Sequence, residues 1–157
     1  PTNYDARAEI MWCGSLSHND TTGERSFGDW ACHQIEHELS GIWDIAHGAG
    51  LAAIWGSWAR YVYKYSLPRF VQLAVNVMGV PNDFRDPDAT ALEGIAKMEE
   101  FFRSIDMPTK ISDMGIELTE ENIKELAYKC SFMGKRTVGK VKALDIADME
   151  AIYRAAK

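Results

Sequence analysis

Apolar residues recur every three to four positions along most of the chain, which is the spacing of one face of an α-helix. The clearest stripe belongs to one long helix and consists of Leu51, Ile54, Trp55, Trp58, Tyr61, Val62 and Tyr65. Another helix is predicted to begin at Pro68, because proline is tolerated where the first N–H of a helix needs no partner, and to end at Gly79. The pattern therefore predicts two consecutive buried helices joined by a short turn.

Side chains that accept hydrogen bonds mark where other helices begin. Ser26 and Asp29 have the S-x-x-D spacing of a capping box, which predicts a helix that ends near Gly41. Thr119 and Asp145 are each followed by apolar residues at helical spacing, so both are predicted to cap helices in the last third of the chain.

The remaining periodic segments, at roughly residues 4–18 and 87–105, are also predicted to be helical. No segment alternates apolar and polar residues as a half-buried strand does. Of the 157 residues, 46% are hydrophobic and 25% are charged. A chain of this length and composition can form one hydrophobic core without disulfide bonds or a structural metal. The predicted fold class is therefore all-α, a helical bundle in which residues 1–157 form one domain.

Composition argues against several classes of partner. The formal net charge is −6, and an acidic chain repels the phosphate groups from which nucleic-acid-binding proteins draw their affinity. No run of about eighteen apolar residues is present to span a membrane, and no signal peptide pattern opens the chain. We therefore expect a cytoplasmic protein that binds neither nucleic acid nor a membrane.

Three of the four histidines lie close together in the segment CHQIEHELSGIWDIAHGAG, at positions 33, 37 and 47. His33 and His37 are four residues apart on a predicted helix, so their Cβ atoms lie on one face about 5–6 Å apart. His47 stands at the start of the long helix, where the positive end of the helix dipole favours the neutral ring that a metal needs. A hairpin of the two helices would bring His47 back over His33.

Two other interpretations stay open at this point. The order His33-x-x-Glu36-His37 matches the H-x-x-E-H motif of a zinc metallopeptidase, in which both histidines bind zinc and the glutamate is the base. That interpretation leaves His47 unexplained, and we expect Glu36 to be solvated or paired with a basic neighbour rather than catalytic. The second alternative is a non-catalytic helical interaction module, in which the histidines are ordinary surface or core residues.

The stretch from Asn3 to about Leu51, with NYDARAEIMWCGSLSHND and DWACHQIEHELSGIWDIAHGAGL, resembles the iron-containing, group III alcohol dehydrogenases, particularly their butanol dehydrogenase branch. The similarity continues more weakly through ARYVYKYSLPRFVQLAVNVMGV and LDIADMEAIYRAA. In that family an N-terminal α/β nucleotide-binding domain precedes an all-helical C-terminal domain like that of dehydroquinate synthase. The resemblance implies that this chain is the greater part of the second domain, and hence a fragment of a longer protein.

The resemblance also implies roles for the histidines. The family's motif has a metal-binding His, a non-ligand His four residues later and a second metal-binding His ten residues beyond that, which fits His33, His37 and His47 in turn. His33 and His47 are therefore expected to bind iron, with zinc or another divalent metal possible. His37 is expected to lie beside the substrate and relay a proton.

The same family takes two further metal ligands, an Asp and a His, from a helix upstream of this sequence. Those ligands and the Gly-rich loop for the nicotinamide cofactor are missing here, so the fragment is expected to hold metal weakly and to be inactive alone. NAD(P)H would be bound mainly by the N-terminal domain. The expected substrate is a small primary alcohol or aldehyde, with Phe27, Trp30 and Trp43 as candidate pocket residues, and a full-length homodimer is expected.

Overall fold

The computed structural model describes residues 2–21 and 28–157, and these residues form a bundle of α-helices. The helices are α1 (Tyr4–His18), α2 (Ala31–Trp43), α3 (His47–Val62), α4 (Leu67–Asn76), α5 (Pro87–Ser104), α6 (Glu120–Cys130) and α7 (Ile146–Ala156), with 3₁₀ turns at Tyr63–Ser66 and Ile111–Met114. The described residues contain no strand beyond one isolated bridge between Val138 and Leu144. The predicted all-α class is confirmed. None of the helices in the described ranges has the length and apolar character needed to cross a bilayer.

Helix starts that depend on local side chains follow the prediction. Thr119 and Asp145 each begin a capping box, because each accepts a hydrogen bond from the backbone of the third helical residue, whose side chain bonds back. The first helix occupies the predicted residues. The stripe predicted to reach Tyr65 is wrong at its end, because α3 stops at Val62 and Tyr65 is exposed in a 3₁₀ turn.

The start of α2 differs from the prediction. Ser26, the first residue of the predicted capping box, lies outside the described residues. The helix begins at Ala31, after Trp30 in the left-handed conformation with φ 62°, and continues two residues beyond Gly41. Asp29 still stabilises this start, since its carboxylate accepts from the backbone N–H of Ala31 at 3.0 Å.

The core lies where α2, α3, α6 and α7 meet. Its largest fully buried side chains include Ile35 and Leu39 of α2, Ile54 of α3, Ile123 and Leu126 of α6, and Met149, Ile152 and Tyr153 of α7. The pair α4 and α5 packs tightly at one point, because a Cβ on Gly94 would lie 2.7 Å from Ala74 Cα. Helix α1 is different, for none of its residues is buried and Ile10, Met11 and Trp12 are exposed.

Asp148 connects α7 to α3 and to the preceding loop. The hydroxyl of Tyr61 donates to Asp148 Oδ1 at 2.6 Å, and the ammonium of Lys142 binds the other carboxylate oxygen. Burial raises the pKa of Asp148, but the hydrogen bonds from Lys142, Tyr61 and the backbone of Asp145, together with the charge of Lys142, outweigh burial, so that the pKa lies below its ordinary value. The same carboxylate raises the pKa of Tyr61 to about 12, chiefly through their hydrogen bond.

Replacing Asp148 with alanine is expected to lower the free energy of unfolding near pH 7 by about 1–3 kcal/mol, because the carboxylate loses three hydrogen bonds, from Tyr61, Lys142 and the backbone N–H of Asp145. A carboxyl with a depressed folded-state pKa stabilises the protein above its unfolded pKa of about 4, and this stabilisation is lost as pH falls through the folded value. Urea unfolding gives the free energy of unfolding of the original protein and of the Asp148→Ala variant. The difference between them should therefore be smaller near pH 3 than near pH 7. An equal difference at both pH values would contradict the assignment.

Candidate metal centre

A short loop turns the chain from α2 into α3 and thereby places His47. Asp44 follows α2 in the left-handed conformation with φ 49°, and Ala46 is extended immediately before the first residue of α3. The turn lets α3 cross back over α2. The predicted hairpin is confirmed.

The three imidazoles converge on one point at this crossing. His33 Nδ1 and His47 Nε2 are 3.0 Å apart, and the ring centroids of those two residues are separated by 5.1 Å. The ring of His37 lies 5.2 Å from that of His47 and 6.3 Å from that of His33. One donor nitrogen from each residue falls within 4.8 Å of the others, so a single ion could contact all three.

The electrostatics of the cluster favour a neutral ring at His33. Burial lowers the pKa of His33, and the neighbouring His47 and His37 lower it further, since positive charges on adjacent rings repel each other. His33 is half-buried, whereas His37 and His47 are exposed. Neutral imidazoles are good ligands for iron, zinc and similar divalent metals, so the donor set fits the metal expected from the sequence.

Glu36 is the main surprise of the site. Its side chain is wholly buried, accepts a hydrogen bond from Ser40 Oγ and contacts Nδ1 of His47. The expectation that it would be solvated is therefore wrong, and its partner is the nearby His47 rather than a Lys or Arg. The reason is tertiary: Gly50 brings the backbone of α3 so close to α2 that Glu36 lies beneath His47 instead of facing solvent. The small residues after His47, in the sequence HGAG, were the available signal of this close approach.

The buried position of Glu36 weighs against the zinc metallopeptidase. The H-x-x-E-H interpretation needs this carboxylate to activate a water beside the metal. A side chain with no exposed surface, already bonded to Ser40 and His47, has no access to such a water. The structure also gives His47 a place in the cluster, which the peptidase interpretation left unexplained.

Asp29 fixes the segment that leads into the histidine helix. Beyond its bond to Ala31, its second carboxylate oxygen accepts from the backbone N–H groups of Lys140 at 2.6 Å and Val141 at 2.7 Å. The loop before α7 is thus attached to the start of α2, next to Trp30, whose ring lies 4.9 Å from that of His33.

A cavity of about 240 Å³ adjoins His33, and its other lining residues include Trp30, Cys32, Leu51, Trp55 and Trp58. Of the three aromatic residues predicted for a substrate pocket, Trp30 lies here. Trp43 is half-buried and packs against the hydrophobic core. Phe27 lies outside the described residues. The apolar walls suit the carbon chain of a small organic molecule.

The chain that carries this histidine cluster matches a known protein family. The family model described as "Fe-containing alcohol dehydrogenase family, C-terminal" matches residues 1–157. The chain belongs to the Fe-containing alcohol dehydrogenase family. Membership confirms the resemblance seen in the sequence, and it covers both the histidine segment and the helices that carry it.

Relatives within the Fe-containing alcohol dehydrogenase family agree in sequence and in fold. The "Probable NADH-dependent butanol dehydrogenase 1" of Bacillus subtilis is 33% identical over 153 residues, which are 98% of this chain and 38% of the relative. The crystal structure of NADH-dependent butanol dehydrogenase A from Thermotoga maritima superposes with a TM-score of 0.87 at 30% identity, over 98% of this chain and 39% of that one. The aldehyde reductase YqhD of E. coli gives a TM-score of 0.88 at 27% identity, over 100% of this chain and 40% of that one. The chain therefore spans about two fifths of the length of these relatives.

Proposed function

We propose that this chain is the metal-binding helical domain of an NAD(P)-dependent alcohol dehydrogenase or aldehyde reductase. The observation that carries the proposal is the convergence of His33, His37 and His47 within 4.8 Å, in a chain that belongs to the Fe-containing alcohol dehydrogenase family. The names of the relatives, butanol dehydrogenase and aldehyde reductase, support a primary alcohol or aldehyde as substrate.

In the proposed site His33 and His47 hold the metal, and iron is the metal that the family name supports. Nδ1 of His47 is engaged by Glu36, so Nε2 is the nitrogen left for coordination. When bound, the metal supplies a Lewis acid that polarises the oxygen of the alcohol or aldehyde. The exposed ring of His37 stands beside that point and moves a proton at its ring nitrogen between the substrate oxygen and solvent.

The sequence contains no GxGxxG motif, which is the usual loop that binds the phosphate groups of a nicotinamide cofactor. We propose that a nucleotide-binding domain outside these 157 residues binds NAD(P)H, and that a helix upstream of this sequence supplies two further metal ligands. The 38% coverage of the Bacillus subtilis relative supports this proposal. Inactivity of the chain alone follows from this proposal. The homodimer and the cytoplasmic location stay predictions from the sequence.

Metal content and rate should rise and fall together in the complete protein. We expect about one divalent ion per chain by elemental analysis, and oxidation of 1-butanol by NAD⁺ should fall in proportion as a chelator removes the ion. Adding Fe²⁺ back should restore the rate. Undiminished alcohol oxidation in protein stripped of metal would overturn the proposed function, as would peptide hydrolysis without any alcohol oxidation.

A further inference from the structure

Among the described residues, Glu36 is a buried carboxylate whose charge no Lys or Arg neutralises. It has no exposed surface, and among the described residues no Lys or Arg forms an ion pair with it. Its partners are the hydroxyl of Ser40 at Oε1 and the ring nitrogen Nδ1 of His47 at Oε2. Removing a carboxylate from water is unfavourable, and a buried charged pair is often no more stabilising than well-packed apolar residues of similar total volume. Stability of the fold therefore does not account for Glu36.

The fold provides a fitted space for this carboxylate. Gly50 lies one turn after His47 on α3, and a Cβ placed there would lie 2.7 Å from Cγ and 2.9 Å from Cδ of Glu36, and closer still to Oε1. Those three atoms are the nearest neighbours of that position, so glycine at 50 is what allows the carboxylate to lie beneath α3. The space, the hydroxyl of Ser40 and the ring of His47 together define one orientation for Glu36.

Resting on the proposed function above, we propose that Glu36 is a positioning residue for the metal ligand His47. The Nδ1–H of His47 donates to the carboxylate, which fixes the ring and leaves Nε2 as the unprotonated nitrogen. That nitrogen faces the cluster, 3.0 Å from Nδ1 of His33. A carboxylate behind a coordinating imidazole also makes the ring a better electron donor, which strengthens its bond to a cation. Because Glu36 is wholly buried, it acts through His47 and does not touch the substrate.

The first test measures Co²⁺ affinity and the visible Co²⁺ spectrum of the complete protein. Glu36→Gln keeps a hydrogen-bond acceptor and loses the charge, whereas Glu36→Met keeps the approximate volume and loses both. Removing an outer-shell partner of a metal ligand typically weakens metal binding by about 10–100-fold, so we expect Glu36→Gln near the lower figure and Glu36→Met near the higher one. The Co²⁺ absorption bands should shift in both variants, which a purely structural role would not cause.

The matched control is Glu38→Gln, two residues along the same helix. Glu38 is half-buried, and the charges that act on it include Lys129 and Arg136 on α6 and the loop that follows α6. We expect this variant to bind Co²⁺ within about twofold of the original protein, since Glu38 has no bond to His47. A folded Glu36→Met protein with the original Co²⁺ affinity and spectrum would overturn the positioning role.

A second variant tests the same idea should Glu36→Met fail to fold. Gly50→Ala leaves residue 36 a glutamate, but the added methyl group pushes the Glu36 carboxylate away from His47. The variant should therefore bind Co²⁺ about tenfold more weakly. In a Glu36→Ala background the same glycine substitution should cause no further loss, because the atoms it displaces are gone. Additive losses would contradict the proposal.

His47→Ala distinguishes a failure of the proposed metal site from a failure of the positioning role of Glu36. If it abolishes Co²⁺ binding while the Glu36 variants bind normally, the positioning role fails and the proposed metal site stands. If His47→Ala itself retains Co²⁺, the proposed function fails and the role of Glu36 fails with it.

Discussion

Under the proposed function, alanine at His33 or His47 is expected to remove the metal from the complete protein and to reduce alcohol oxidation by about a thousandfold or more, because Lewis-acid stabilisation is worth several kcal/mol. Alanine at His37 is expected to leave the metal bound and to reduce the rate by about 10²–10⁴-fold, the usual contribution of a positioned acid or base. The two classes of variant therefore separate when metal content and kcat are measured on the same samples.

His18 provides a control for this series, since it lies at the end of α1, outside the cluster of converging donors. His18→Ala should retain both metal and rate. Loss of metal in His37→Ala but not in His47→Ala would instead favour the H-x-x-E-H peptidase site. A protein with alanine at all three cluster positions and unchanged activity would leave only a structural role for the histidines.

The parts of the site that follow from local sequence were predictable. The i, i+4 spacing of His33 and His37 places both rings on one helix face, and a turn before His47 is enough to bring the third ring to them. The capping boxes at Thr119 and Asp145 are equally local, because donor and acceptor are separated by three residues. Spacing alone does not say which two of the three imidazoles bind metal, and that assignment came from resemblance to the family.

Features that depend on how two helices cross were not predictable. Helical spacing puts Glu36 at the edge of the histidine face, but its burial depends on the closeness of α3 at Gly50. Likewise the role of Asp29 depends on Lys140 and Val141, more than a hundred residues away in sequence. Periodicity finds the apolar face of a helix without saying what covers it, and α1, with no buried residue, is the clearest example.

Tyr153 of α7 is expected to give the largest loss of stability when truncated. Its side chain is wholly buried, and its hydroxyl donates to the carbonyl oxygen of Ile35 at 2.6 Å, between His33 and His37 on α2. Tyr153→Ala removes an aromatic ring from the core, which should cost about 3–5 kcal/mol in the free energy of unfolding. Tyr153→Phe keeps the ring and loses one hydrogen bond, so we expect about 1 kcal/mol. Urea unfolding of the three proteins gives both differences.

Unfolding measurements at alkaline pH distinguish the stability contribution of the Tyr153 hydroxyl from that of its ring. Burial raises the pKa of Tyr153 well above its ordinary value of about 10, so the folded protein keeps this proton while the unfolded chain loses it. The protonated Tyr153 hydroxyl therefore stabilises the folded protein fully below about pH 10, and this stabilisation declines as pH rises further. The advantage of the original protein over Tyr153→Phe should shrink and then reverse above that pH, since phenylalanine has no proton to lose. A constant difference through this range would mean that the Tyr153 hydroxyl ionises as readily in the folded protein as in the unfolded chain.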